Sequence, residues 1–254
     1  MSFASAGPPD GFPVVYCHGA IGSPRWRTPQ LDALVQELGV CYLIAYRPGF
    51  GGSDPSPGRR VLDFADDLAE LMDALGHARF AVVGVSAGAP YALACGRALP
   101  DRVAALAAIS PLGPAHGAGS SSSLRYRVPL LAFGHGRSGP ALAGWCARAV
   151  GSAADTPASA MIDDYRVCRR PWGFDPSEVR LPVTVWHGRE DPLVPVAHAL
   201  RLRAVLATST ARIEPAAGHF FYHQRLGEIM AGLLASARQD RGCPEAAIAQ
   251  SVAA

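Results

Sequence analysis

A serine hydroxyl is a poor nucleophile unless a base takes its proton, and separate stretches of this chain hold the groups that such chemistry needs. Gly84-Val85-Ser86-Ala87-Gly88 fits the pattern Gly-x-Ser-x-Gly. The string is short, but its context sharpens it. The apolar run Phe80–Val85 leads straight into it, and a helical run from Ala89 to Leu99 follows. Strand, sharp turn and helix are what a nucleophile elbow requires, with small residues flanking a serine whose hydroxyl is exposed. The following helix N-terminus also favours negative charge developing beside it. The competing reading is an ordinary glycine-rich turn between strand and helix. Of the eight histidines, His219 in Ala216-Ala217-Gly218-His219-Phe220 follows the last apolar strand candidate, where a loop can present an imidazole over the strand ends. Asp191, in the loop His187-Gly188-Arg189-Glu190-Asp191-Pro192, is the candidate acid to orient that imidazole. Glu190 is its competitor. His187, at a strand end, reads as a packing or hydrogen-bonding residue. No His/Asp/Glu grouping has metal-ligand spacing, and Gly49-Phe50-Gly51-Gly52 lacks the surroundings of a dinucleotide fingerprint, so neither metal nor cofactor is inferred.

The elements that must position these groups are legible as alternation. Short apolar runs at Pro13–Cys17, Val40–Tyr46, Phe80–Val85, Val103–Ile109, Pro182–His187 and Ala211–Glu214 are the candidate strands. Their near-continuous Val, Ile, Leu and Ala content suits strands covered on both faces, as in a parallel sheet. Amphipathic stretches lie between them; Leu62–Leu75 keeps Leu62, Ala65, Leu68, Ala69, Met72 and Leu75 on one helical stripe. This predicts an α/β domain with right-handed crossovers. The rhythm breaks over residues 113–178. That stretch opens with a hinge-like composition, His116 to Ser123, rich in Gly and Ser, and continues with helix candidates Leu124–Phe133, Pro140–Val150 and Pro157–Cys168. It reads as a small helical cap inserted between the two parts of a core at 1–112 and 179–237. Its aromatic residues argue against the alternative, a disordered loop. Residues 238–254 read as a flexible tail.

Composition bounds the rest. The 254 residues are 49% hydrophobic and 17% charged, a globular balance with length for one large core. A net charge of +2 gives no basis for a nucleic-acid or anionic-membrane surface. All 23 basic residues are arginine, which excludes Schiff-base lysine chemistry, a pyridoxal anchor and a phosphate-loop lysine. The six cysteines include no Cys-x-x-Cys and read as buried free thiols. No secretory signal or long apolar run is visible, so the expectation is a cytoplasmic protein, off the membrane, acting on a small molecule as a monomer or homodimer.

With the motifs in the order Ser86, Asp191, His219, the chain resembles the α/β-hydrolase fold superfamily from about Pro13 to Ala235. His18-Gly19-Ala20-Ile21-Gly22 is similar to that family's His-Gly oxyanion loop, and Arg47-Pro48-Gly49-Phe50-Gly51-Gly52-Ser53 to its Arg-Pro-Gly-x-Gly-x-Ser segment. The resemblance implies a mostly parallel, doubly wound sheet with an inserted helical cap. It implies a Ser86–Asp191–His219 triad, with the backbone amides of Ala20 and Ala87 as the oxyanion hole and His18 shaping the loop. Two departures stand out. Tyr46 occupies the place where the family often has aspartate. Only Ser2–Ala6 precedes the His-Gly strand, where the family usually has two antiparallel strands, so the sheet is expected to lack its first strand or to have a shortened start. The implied activity is hydrolysis of an ester, thioester or lactone of a small, largely apolar substrate through an acyl-enzyme. Phe133, Trp145, Tyr165 and Trp172 are candidates to wall its pocket, the bland alternative being that they bury the cap. A carbon–carbon bond hydrolase, an aminopeptidase-like enzyme and a non-catalytic binder on the same fold are the alternatives. Epoxide and haloalkane hydrolases of the superfamily carry aspartate at the elbow, and serine here argues against both.

Overall fold

The computed structural model describes residues 1–20, 27–115 and 158–239. Their strands form one seven-stranded sheet. The strands are β1 (Phe3–Ala6), β2 (Phe12–Cys17), β3 (Val40–Ala45), β4 (Phe80–Val85), β5 (Val103–Ile109), β6 (Val183–Gly188) and β7 (Ser209–Glu214). Their spatial order is β1-β3-β2-β4-β5-β6-β7. Every neighbouring pair is parallel except β1 with β3. One short antiparallel strand thus precedes the His-Gly strand, Phe3 lying opposite Ala45 and Ala6 opposite Tyr42.

Strands β2, β3, β4 and β5 are buried at every position, the result of covering a parallel sheet on both faces. Two apolar clusters do the covering. One gathers Leu68, Met72, Leu93 and Leu106, and the other Val14, Tyr42, Ile109, Met230 and Leu233. Helices α1 (Pro29–Glu37), α2 (Phe64–Ala74), α3 (Ala89–Ala98), α4 (Ala158–Arg169), α5 (Ala197–Val205) and α6 (Tyr222–Gln239) lie between and after the strands. Strand β7 closes the edge with alternating partly buried and exposed residues. Its alternation explains why the apolar signal begins only at Ala211, two residues inside the observed strand.

Of the three helix candidates in 113–178, Pro157–Cys168 corresponds to α4; the other two, with the Gly/Ser stretch, lie outside the described residues. Helix α6 runs through Gln239, two residues beyond the expected end of the core, and the rest of the expected tail is outside the described residues. Cys17, Cys41, Cys95 and Cys168 are free and buried. Among the described residues no helix is long and apolar enough to cross a membrane.

The crossing of α3 over β4 depends on a missing side chain. A Cβ at Gly84 would stand 2.6 Å from Ala89 Cα and 2.7 Å from Ala92 Cβ. Gly84→Ala therefore forces helix and strand apart. It is expected to destabilise the protein by about 1–3 kcal/mol, read as a lower denaturant midpoint; an unchanged midpoint would show that the contact is not tight.

Candidate active site

The sheet brings the three sequence-predicted groups to its C-terminal edge. Ser86 follows β4 and opens a single 3₁₀ turn, Ser86–Gly88, that runs into α3. Its φ is +55°, in the left-handed region that a residue with a side chain seldom visits. Such a conformation costs of order 1–3 kcal/mol and persists only where surroundings over-determine it. The surroundings here are tight: a Cβ at Gly88 would collide with the backbone carbonyl of Cys17. Leu112 N–H donates to the Ser86 carbonyl at 3.1 Å. Ser86 is half-buried, whereas Val85, Ala87 and Gly88 beside it are buried.

Asp191 lies past β6 and His219 past β7, and their loops are zipped together. Arg189 N–H donates to Glu214 O at 2.9 Å, and Glu190 N–H to Ala217 O at 3.0 Å. The two loops pass so close at Gly188 that a Cβ there would collide with the Ala217 carbonyl. His219 Nδ1 donates to Asp191 Oδ2 at 2.7 Å. Glu190, the competing acid, is exposed, while Asp191 is 8% exposed and His219 5%.

Asp191 is saturated with donors. Oδ1 accepts from the backbone N–H of Leu193 at 2.8 Å and of Val194 at 2.9 Å. Oδ2 accepts from His219 and also lies 3.2 Å from His187 Nε2. Burial alone would raise the Asp191 carboxyl, yet the bonds from His187 and His219 outweigh it and hold the group well below the usual carboxylate range. An ionised carboxylate only accepts, so the His219 ring proton must sit on Nδ1, leaving the Nε2 lone pair free. That is the tautomer a general base requires.

Residues not singled out from the sequence complete the frame. Ser110, directly after β5, also has a positive φ, +44°. Its Oγ donates to the His219 carbonyl at 3.0 Å. Ser110 and Leu112 thus bracket the site: one holds the His219 loop, the other the Ser86 turn. Nothing in the local sequence marks Ser110; the signal would have been its place just beyond a buried strand. His187 is a hydrogen-bonding residue, as its strand-end position suggests, and its Nε2 also lies 2.8 Å from the Val194 carbonyl.

The loop after β2 lies against the serine. A Cβ at Gly19 would stand 3.6 Å from Ser86 Cβ, and Ala20 packs at the border of the core. His18 is buried, and its pKa is lowered to about 3 by burial and by the neighbouring Arg47 charge. Of the residues expected to wall a pocket, Tyr165 and Trp172 are 5% and 3% exposed and belong to the two separate core clusters. Trp172 Nε1 donates to the Cys168 carbonyl at 2.9 Å. Phe133 and Trp145 lie outside the described residues.

Comparison with known proteins agrees with this architecture. Residues 13–125 match the family model described as alpha/beta hydrolase fold. A protein of Caulobacter vibrioides provisionally named carbamate hydrolase RutD is 33% identical over 97 residues, 38% of this chain. The match spans 36% of that relative's length. Among solved structures, a carboxylesterase study of Nitrososphaera gargenis gives a TM-score of 0.74 at 14% identity, covering 94% of this chain and 95% of that one. The enol-lactonase of Burkholderia xenovorans LB400 gives 0.72 at 17% identity, over 92% and 96%. The 2-hydroxy-6-oxo-6-phenylhexa-2,4-dienoate hydrolase of Rhodococcus sp. strain RHA1 gives 0.66 at 18% identity, over 93% and 94%. Residues 13–125 thus match the α/β-hydrolase family, and the described chain has the α/β-hydrolase fold.

The buried histidines make folding pH-dependent. Burial lowers His198 to about 4, as it lowers His18 to about 3. An unfolded histidine binds its proton near pH ~6.5, so below that value the unfolded chain takes up protons that the native one refuses. Stability present above pH ~6.5 is therefore lost on acidification, at up to about 1.4 kcal/mol per pH unit for each histidine. Melting temperatures should fall steadily between pH 7 and 4; a flat profile would contradict neutral burial of these rings.

Proposed function

We propose that this chain is a serine hydrolase that cleaves carboxylic ester-type bonds through an acyl-enzyme. The observation that carries the reading is the buried Asp191–His219 hydrogen bond, 2.7 Å long, at the same sheet edge as a serine held in a left-handed turn. Ser86 Oγ attacks the acyl carbonyl carbon and its proton passes to His219 Nε2. The carbonyl oxygen becomes an oxyanion facing the backbone N–H groups of Ala20 and Ala87. The bond to the leaving group breaks, and that group departs with the proton from His219. Water then adds to the acyl carbon, giving a proton to His219. The Ser86–acyl bond breaks, the acid leaves, and the proton returns to Ser86. Throughout, Asp191 keeps Nδ1 protonated and stabilises the imidazolium when it forms.

Ester, thioester and lactone substrates all present the carbonyl this cycle needs. The carboxylesterase, lactonase and carbamate hydrolase names among the related proteins support that class. In this reading residues 113–178 serve as a cap, with Phe133 and Trp145 as its candidate aromatic walls, whereas Tyr165 and Trp172 fill the core clusters instead.

A fluorophosphonate tests the reading whatever the natural substrate is, because it reacts with the activated serine itself. Intact mass should show one phosphonyl adduct on the wild type and none on Ser86→Ala; a folded wild type that takes no adduct would contradict an activated serine. Asp191→Asn should slow turnover of any ester found to be a substrate by ~10⁴-fold, because an amide can favour the wrong His219 tautomer. A loss under about tenfold would move the acid role elsewhere.

A further inference from the structure

A second buried charge lies on the far side of the oxyanion loop. Arg47, directly after β3, and Asp164, in the middle of α4, are 117 residues apart in sequence and both wholly buried. They form a two-pronged pair, Nε to Oδ1 at 3.0 Å and Nη2 to Oδ2 at 2.8 Å. Tyr91 of α3 donates its hydroxyl to Asp164 Oδ1 at 2.7 Å, and Arg59 Nη2 lies 3.5 Å from the same oxygen. The Arg47 guanidinium also rests against the rings of Tyr91 and Phe50, 4.8 Å and 5.2 Å from their centroids. Burial alone would raise Asp164, but Arg47 and Tyr91 outweigh it and keep the carboxyl lowered. One partner removed from such a pair leaves an uncompensated buried charge.

What the pair holds is the backbone of the oxyanion loop. Arg47 Nη1 donates to the His18 carbonyl, and Nη2 to the Gly19 carbonyl at 3.2 Å. The same Gly19 oxygen lies 2.8 Å from His18 Nδ1. Because a carbonyl only accepts, Nδ1 carries the His18 proton, and Nε2 then accepts the Arg47 backbone N–H at 3.3 Å. His18 and Arg47 thus fix one another's roles, and both donate to one carbonyl.

That carbonyl belongs to the Gly19–Ala20 peptide. A trans peptide is planar and its N–H points opposite to its C=O, so fixing the Gly19 oxygen fixes the direction of the Ala20 N–H. Donors on the carbonyl also polarise the peptide and strengthen its N–H as a donor. We propose that Asp164, through Arg47, is a positioning residue that aims and polarises the Ala20 N–H at the developing oxyanion. Helix α4 and the catalytic edge are thereby coupled, since the counter-charge that holds the oxyanion loop is supplied by that helix. The chain neighbour of Arg47 is Tyr46, and the acid facing the guanidinium comes from another element, α4. The inference rests on the reading of Ser86 as the nucleophile.

Phosphonylation of Ser86 by a fluorophosphonate provides the test. The Oγ–P bond forms, P–F breaks, fluoride leaves, and the serine proton goes to His219 while charge develops on the phosphoryl oxygen. In folded Asp164→Asn the saturating rate of adduct formation should fall by about 10²-fold, the scale of a misplacement near 1 Å. The half-saturating concentration should stay at the wild-type value, a split that simple loss of stability would not produce. Asp164→Glu, which retains the carboxylate, should recover part of the rate. If Asp164→Asn does not fold, His18→Phe keeps the Arg47–Asp164 pair but removes both the His18 donor to the Gly19 carbonyl and the acceptor of the Arg47 backbone N–H, and should slow the saturating step about tenfold. A labelled wild type with folded variants reacting at its own rate overturns this inference alone. A wild type that is never labelled overturns the nucleophile assignment, and this inference with it.

Discussion

The Asp191 carboxylate sits buried at the end of β6, where a lone charge would be costly, and four donors converge on its two oxygens. Two come from the backbone of its own loop and two from histidine rings. Because the group stays ionised, it can only accept, and this single restriction propagates outward. It assigns the proton of His219 to Nδ1 and leaves Nε2 as the basic nitrogen. It also ties the loop after β6 to the loop after β7, so the imidazole is held by the same contacts that close the sheet edge. Ser110 and Leu112 extend that frame across β5 to Ser86, whose left-handed turn needs support from outside itself.

A second buried charge pair works on the opposite side of the serine by the same logic. Arg47 and Asp164 each need a partner, and each has one, with donors left over for the His18 and Gly19 carbonyls. Their placement converts an electrostatic requirement into a geometric one. The strands contribute rigid ends, and the buried charges determine which way the groups at those ends point. A neutral, tautomerically fixed His18 follows from the arrangement.

Much of this was legible in the sequence, and the limits have physical causes. Phe80–Val85 and Val103–Ile109 coincide with β4 and β5, because strands covered on both faces carry an uninterrupted apolar signal. The edge strand β7 was legible only in part, since its alternation dilutes that signal. The short antiparallel β1 occupies the stretch that left room for one strand. The preference for Asp191 over Glu190 agrees with burial of the first and exposure of the second. Long-range partners were not legible. Nothing near Arg47 in the chain points to Asp164, which reaches it only because α4 packs against the elbow side of the sheet. Ser110 is one serine among many until the topology brings it under the His219 carbonyl.

Everything at this sheet edge turns on Asp191 fixing the proton of His219 on Nδ1. Proton and nitrogen NMR of protein carrying ¹⁵N-labelled histidine measures it directly, with assignments from a His219→Gln variant. In the neutral ring, the His219 Nδ1 signal should be that of a protonated nitrogen coupled to a strongly hydrogen-bonded proton, while Nε2 is bare, and Asp191→Asn should abolish this pattern. A His219 ring protonated on Nε2 with Nδ1 bare in the wild type would contradict it.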